Sequence, residues 1–259
     1  MRIALVDSGL GLLAAAAAVR RLRPDASLVL AGDPDGMPWG PRAPEEIAGR
    51  ALDCARAAAA ERPDALIVAC NTASVHALPA LRAELEPAVP VIGTVPAVKP
   101  AAASGAPFAV WATPATTGSP YQRRLIEDFG AEARATPVPC HGLAAAVEHA
   151  DEAAIDAAVK AAADLTPPDT TAVVLGCTHY ELVAARIRAH LVQTTGGPVT
   201  LHGSADAVAA QALRRIGANA DPTAPATGSL TVFASGRPTG LPDTARAYAE
   251  GRFLAARAS

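Results

Sequence analysis

Short, uninterrupted apolar runs alternate along this chain with longer Ala-rich stretches whose apolar positions recur at helical spacing. The runs fall at 3–6, 27–31, 65–69, 89–92, 108–111, 173–175 and 230–233. Between them the pattern predicts helices over 13–23, 44–61, 74–86, 117–129, 151–164, 179–192, 204–216 and 241–256. A strand buried on both faces shows no polar alternation. Continuous apolar runs separated by helices therefore signal βαβ units and parallel sheets. The expected fold class is α/β.

Four runs end in small polar clusters. They are Asp7-Ser8-Gly9, Cys70-Asn71-Thr72, Thr113 with Thr116-Thr117, and Cys177-Thr178-His179. Ligands of open α/β sheets bind beyond the carboxyl ends of the strands, so the four clusters point to one cleft. Two of the segments are alike: an apolar strand, a small residue, a cysteine, then a threonine within two residues. This internal repeat suggests two similar α/β domains with mostly parallel sheets, pseudo-twofold related, with the active site between them. The expected division is 1–97 plus 211–259, carrying Asp7 and Cys70, and 98–210, carrying Cys177 and His179. The change-over lies near 96–100, and the C-terminal segment returns to the first domain.

Composition narrows the class of function. A chain of 259 residues holds one large or two ordinary domains and buries a core without disulfides or structural metal. With 51% hydrophobic and only 3% aromatic residues, that core is built from Ala, Val, Leu and Ile. The net charge is −3, and basic residues cluster only in pairs such as Arg20-Arg21 and Arg123-Arg124, so no nucleic-acid footprint is present. No apolar run reaches about 18 residues without charge, so no membrane partner is expected. The stretch 10–19 resembles a signal core, but a strand and Asp7 precede it rather than a basic segment. The expected location is cytoplasmic. The four cysteines, Cys54, Cys70, Cys140 and Cys177, form no CxxC pair, which argues for free thiols and against zinc.

Two strand-end cysteines suit a particular chemistry. A single thiolate would serve acyl transfer or protonation of one face. Racemisation removes a proton from one face of a carbon and returns one to the other, so it needs an acid/base group on each side. One thiolate abstracts while the opposite thiol donates. Asp7 and His179 could each exchange a proton with the thiol beside it. Asn71, Thr72 and Thr178 offer neutral donors to a carboxylate, and helix N-termini after Ser8, Thr72 and Thr178 would add backbone N–H groups. Plainer roles compete. Cys54 and Cys140 read as buried small hydrophobes. Asp7, Ser8, Asn71, Thr72 and Ser74 could cap helices, and His179 could be structural. Cys140-His141 with Cys177 and His179 matches no zinc spacing. Gly9, Gly11 and Ala14 form a loose dinucleotide fingerprint with Asp33 or Asp35 as the ribose acid. In that nucleotide-binding oxidoreductase reading, Asp7 would face a pyrophosphate unfavourably.

At these residues the chain resembles the aspartate/glutamate racemase superfamily, specifically its glutamate racemases, over nearly its whole length. Asp7-Ser8-Gly9-Leu10-Gly11 is similar to the opening motif, and Pro38-Trp39-Gly40 to a later loop. Cys70-Asn71-Thr72-Ala73-Ser74 and Gly176-Cys177-Thr178-His179-Tyr180 match the two cysteine motifs in full. The segments 90–93 and 96–100 resemble the stretch that follows the first of them. The resemblance implies two α/β domains and interconversion of L- and D-glutamate without cofactor or metal, supplying peptidoglycan synthesis. It implies that Cys70 acts on the D enantiomer with Asp7 assisting, and Cys177 on the L enantiomer with His179 assisting. Glu148 is a further candidate assistant. Ser8, Pro38, Trp39, Gly40, Asn71, Thr72, Thr116 and Thr178 would line the substrate site. Members differ in how they pair, and a homodimer is one expected state. Departures are Leu12 in place of a second glycine, Trp39 in place of tyrosine, His141-Gly142 where a proline is typical, and Glu181 where proline is common. Neither cysteine is affected. Other readings are a sister racemase acting on aspartate, a hydantoin or another acid, and a binding protein that kept the fold without catalysis.

Overall fold

The structure, a computed structural model, describes residues 1–130 and 133–256. The chain forms two compact units, Met1–Thr94 with Ala205–Ser259, and Val95–Ser204. Both are α/β with mostly parallel sheets.

The first unit begins with β1 (Arg2–Asp7), α1 (Leu12–Leu22), β2 (Ser27–Gly32), α2 (Pro44–Ala59), β3 (Ala65–Val68), α3 (Asn71–His76), α4 (Leu78–Leu85) and β4 (Val91–Gly93). The second unit holds α5 (Val98–Ala102), β5 (Phe108–Ala112), α6 (Pro120–Gly130), β6 (Ala135–Pro139), α7 (Leu143–Glu148), α8 (Glu152–Asp164), β7 (Ala172–Leu175), α9 (Thr178–Glu181), α10 (Ala184–Thr195) and β8 (Thr200–His202). The chain then completes the first unit with α11 (Ala205–Arg215), β9 (Leu230–Ala234), β10 (Arg237–Thr239), a 3-10 turn (Asp243–Ala247) and α12 (Ala249–Ala255).

The strand orders are β10-β9-β2-β1-β3-β4 and β6-β5-β7-β8. All pairings are parallel except β9 with β10. Four strands of each unit therefore follow one plan, with β1 and β5, β2 and β6, β3 and β7, β4 and β8 in matching places. The apolar runs explain this plan. Ile3, Ala4, Leu5 and Val6 are fully buried, as are Leu66, Ile67 and Val68 of the neighbouring β3. Helix α2 starts with Pro44 and carries Glu45 and Glu46 in its first turn, both favoured at a helix N-terminus. Its buried face is Ile47, Ala51, Cys54, Ala55 and Ala58, one stripe at helical spacing. Asp151 caps α8 by accepting the Ala154 N–H at 3.0 Å.

The α/β expectation holds, with local differences. Strands β6, β8 and β10 and helices α5 and α7 were outside the predicted set. β6 contains Pro137 and Pro139, which demote a run in a pattern reading, yet as an edge strand it tolerates them. The predicted helix over 74–86 is two helices, because Pro79 lacks an N–H and begins a new one. The predicted 179–192 helix also divides, into α9 and α10. Among the described residues no helix is long and apolar enough to cross a membrane.

Arg20 of α1 is 1% exposed, and its guanidinium donates to the carbonyls of Gly228 (2.9 Å) and Ser229 (2.8 Å) just before β9. This ties the returning segment to the first helix. Arg20→Met should lower unfolding free energy by about 2–4 kcal/mol, since it strands two carbonyls. Urea denaturation followed by circular dichroism measures it; an unchanged midpoint would remove Arg20 from the fold's support.

Candidate active site

In the first unit, β1 and β3 run side by side with Val6 opposite Val68. The Ala69 N–H donates to the Val6 carbonyl at 2.8 Å. Cys70 follows at once, extended (φ −137°, ψ 122°), as the residue before α3. Asp7 and Cys70 thus occupy neighbouring strand ends. Asp7 is fully buried, and its carboxylate accepts the Ser8 N–H at 2.7 Å and the Ser8 hydroxyl at 3.4 Å. Helix α1 takes Gly11 as its N-cap, with no side-chain cap bond. Asn71 is buried and Thr72 half-buried in the first turn of α3. Ser74 accepts the Thr94 N–H (2.9 Å) and donates to the Val68 carbonyl (3.2 Å), bracing the strand end behind the cysteine.

The second unit repeats this arrangement. The Gly176 N–H donates to the Trp111 carbonyl at 2.7 Å. Cys177 again is extended (φ −137°, ψ 133°) before a helix, α9. A Cβ at Gly176 would sit 2.8 Å from the Trp111 carbonyl, so this approach requires glycine. Cys177 is half-buried, with its sulfur 3.8 Å from His179 Nδ1. His179 Nε2 lies 3.0 Å from Glu148 Oε2. A carboxylate accepts only, so Nε2 donates to Glu148, and Nδ1 is the ring nitrogen that faces the thiol. Helix α7 packs on α9 and delivers Glu148 from 31 residues away. Thr116 lies in the turn after β5, the strand next to β7, and its hydroxyl accepts from Thr113 at 3.2 Å. Thr178 is buried beside Cys177.

The helices behind the cysteines begin at Asn71 and Thr178 and run only six and four residues, so their dipoles are short. Trp39, expected to line the substrate site, has its ring 1% exposed within the first unit's core, and its indole N–H donates to Asp33 Oδ2 at 2.9 Å. A large apolar ring with one donor is stable beside a buried acceptor. Pro38 is exposed and Gly40 half-buried in the same segment. Asp33, the ribose acid of the dinucleotide alternative, is buried and already engaged by Trp39, Arg50 and Ser235. Glu181 has a local use: it accepts the Ser204 N–H (2.8 Å) and hydroxyl (2.9 Å). Sequence reading passed over Arg50 and Ser235, and only their contacts with Asp33 reveal them. Among the described residues no group of three or more His, Cys, Asp or Glu side chains converges as a metal ligand set.

Comparison with known proteins settles the family. The model for Asp/Glu/hydantoin racemases matches residues 12–212. The chain belongs to that family. A glutamate racemase of Granulibacter bethesdensis is 34% identical over 258 residues, covering 96% of this chain and 86% of that protein. One from Roseiflexus sp. is 37% identical over 196 residues, covering 72% and 70%. The crystal structure of Escherichia coli glutamate racemase with L-glutamate and the activator UDP-MurNAc-ala superposes with a TM-score of 0.77 at 27% identity, covering 95% of this chain and 91% of that one.

The other two cysteines of this family member differ from Cys70 and Cys177. Cys54 lies on the inner face of α2, 2% exposed, where burial and then the Asp33 charge push its thiol up to about 12 from 9.0. Cys140 is 1% exposed, and burial likewise pushes its thiol up. Neither carries thiolate at neutral pH. Native protein should therefore resist alkylation at both. Cys54→Ala should keep turnover and lose about 1 kcal/mol of stability. The folded state holds the Cys54 proton between pH 9 and 12 while the unfolded chain releases it, so stability should fall with pH across that window. Denaturation at a series of pH values tests this; an equal fall in Cys54→Ala would assign the loss elsewhere.

Proposed function

We propose that this protein is a cytoplasmic glutamate racemase that needs no cofactor and supplies D-glutamate for peptidoglycan. The observation that carries the reading is the recurrence of one backbone geometry. Cys70 and Cys177 each follow a four-residue inner strand, hold φ −137°, and stand one residue beyond a hydrogen bond to the adjacent strand. The relatives named glutamate racemase over most of this chain support the substrate.

In this mechanism the Cys70 thiolate takes the Cα proton of D-glutamate, breaking C–H and forming S–H. The planar carbanion then takes the proton of the Cys177 thiol on its other face, giving L-glutamate and a Cys177 thiolate. The reverse direction exchanges the roles. For reaction from L-glutamate, His179 first accepts the Cys177 proton through Nδ1, leaving the thiolate, and Glu148 stabilises the imidazolium through Nε2. Asp7 serves Cys70 from the next strand end. Ser8, Asn71, Thr72, Thr116 and Thr178 supply neutral donors to the substrate's polar groups, and the 38–40 segment adds Pro38 and Gly40. No Lys or Arg stands in either cysteine motif, so neutral donors and backbone N–H groups carry the anion recognition.

Circular dichroism with D- and then L-glutamate in D2O, without added cofactor, should show loss of optical signal from both, with deuterium entering Cα. Unchanged signal would move the substrate to aspartate, a hydantoin or another acid. Cys70→Ser and Cys177→Ser should each abolish racemisation, and normal racemisation by either would end the two-thiol reading. Glu148→Gln should lower the rate from L-glutamate about 10²-fold, the scale of a positioned acid/base group. A rate within twofold of the parent would leave Glu148 a structural partner of His179.

A further inference from the structure

We propose that Asp33 is a positioning residue that sets the 36–42 loop and, through it, substrate affinity; this rests on the reading that the 38–40 segment lines the substrate site. Asp33 is 4% exposed at the end of β2, one strand from Asp7. Its Oδ2 accepts the Trp39 indole N–H (2.9 Å) and an Arg50 guanidinium N–H (3.2 Å). Its Oδ1 accepts the Ser235 hydroxyl (2.8 Å). Its own N–H donates to the Ser8 carbonyl at 3.2 Å. One buried carboxylate therefore joins the loop, helix α2, the β9–β10 hairpin and the Asp7-Ser8 turn.

The surroundings are built around that carboxylate. Ser235 and Gly236 form a two-residue hairpin turn with φ of 45° and 77°, the paired positive values of a tight hairpin. That turn aims the Ser235 hydroxyl at Asp33 and lets it also accept the Asp35 N–H at 3.2 Å. Arg237 pairs with Asp35 at 2.7 Å. On the other side Arg42 donates to the Gly36 carbonyl at 2.6 Å and pairs with Glu46, which also pairs with Arg50. A Cβ at Gly36 would overlap both the Asp33 carboxylate and the Arg50 guanidinium. Any larger residue there would have to displace one of the two side chains. The loop is held from two sides, and Asp33 contacts both.

An interaction that orders a loop for binding alone shifts KM and leaves kcat in place. Asp33→Asn keeps the shape but removes the charge that Arg50 and Trp39 address. Racemisation of D-glutamate followed by circular dichroism should show KM raised roughly tenfold and kcat within about twofold. Gly36→Ala should act in the same direction. Trp39→Phe in the Asp33→Asn background should add little, because both remove one interaction. Multiplying effects, or a fall in kcat at constant KM, would overturn the proposal. If Asp33→Asn does not fold, Ser235→Ala removes one donor alone and should raise KM about threefold; an unchanged KM there would overturn it equally. The chain's only other tryptophan is Trp111, so Trp111→Phe makes Trp39 the sole reporter. Trp39 emission that responds to D-glutamate, with KM unmoved in Asp33→Asn, would sink the Asp33 role alone. Emission that ignores a saturating substrate, with KM unmoved, would remove the loop from the substrate site and overturn both readings together.

Discussion

In each sheet the penultimate residue of an inner strand accepts, through its carbonyl, the N–H of the residue just before a cysteine: Val6 from Ala69, and Trp111 from Gly176. Both cysteines, Asp7 and the His179 turn are placed relative to those two bonds. They are the last rungs of the parallel β1–β3 and β5–β7 ladders. Beyond them the strands end, and the chain must turn. A thiol one residue past the rung is held extended at the carboxyl edge of its sheet, where parallel α/β sheets place their ligands. The apolar strands hold the edge rigid, and the short helices behind it leave the thiol as the side chain at the junction.

The two units then diverge in the titratable groups near each cysteine. Beside Cys70, the residue after the accepting carbonyl is Asp7, a fully buried carboxylate held by Ser8. At the matching place after Trp111 stands Ala112, which offers no titratable group. There the partner comes from the cysteine's own turn, as His179, with Glu148 behind it. One scaffold thus sets a buried carboxylate at the strand end next to one cysteine and a histidine–glutamate pair beside the other. Cys54 and Cys140 are the more deeply buried thiols, at 2% and 1% exposure, and burial raises the pKa of both.

The apolar runs were enough to give seven of the strands and the parallel plan, because strands buried on both faces must be continuously hydrophobic. The two cysteine motifs were legible for the same reason: each follows such a run directly. Strand β6 was hidden by Pro137 and Pro139, and β8 by its length of three residues. Helix α7 was hidden by its six residues between Gly142 and Ala150, both at positive φ. With α7 unseen, Glu148 had a place only by resemblance, whereas the fold sets it 3.0 Å from His179.

The sequence by itself determined the α/β class, the strand-end polar clusters and the pairing of like cysteine segments, since each depends on residues close together in the chain. Tertiary structure alone decided that Trp39 turns inward, that His179 meets Glu148, and that Asp33 meets Arg50 and Ser235. These outcomes depend on which distant strands become neighbours. Ser235 is 202 residues from Asp33 and reaches it only because β9 pairs with β2. Periodicity records the burial of a face, but it carries no address for the partner that a buried polar atom must find.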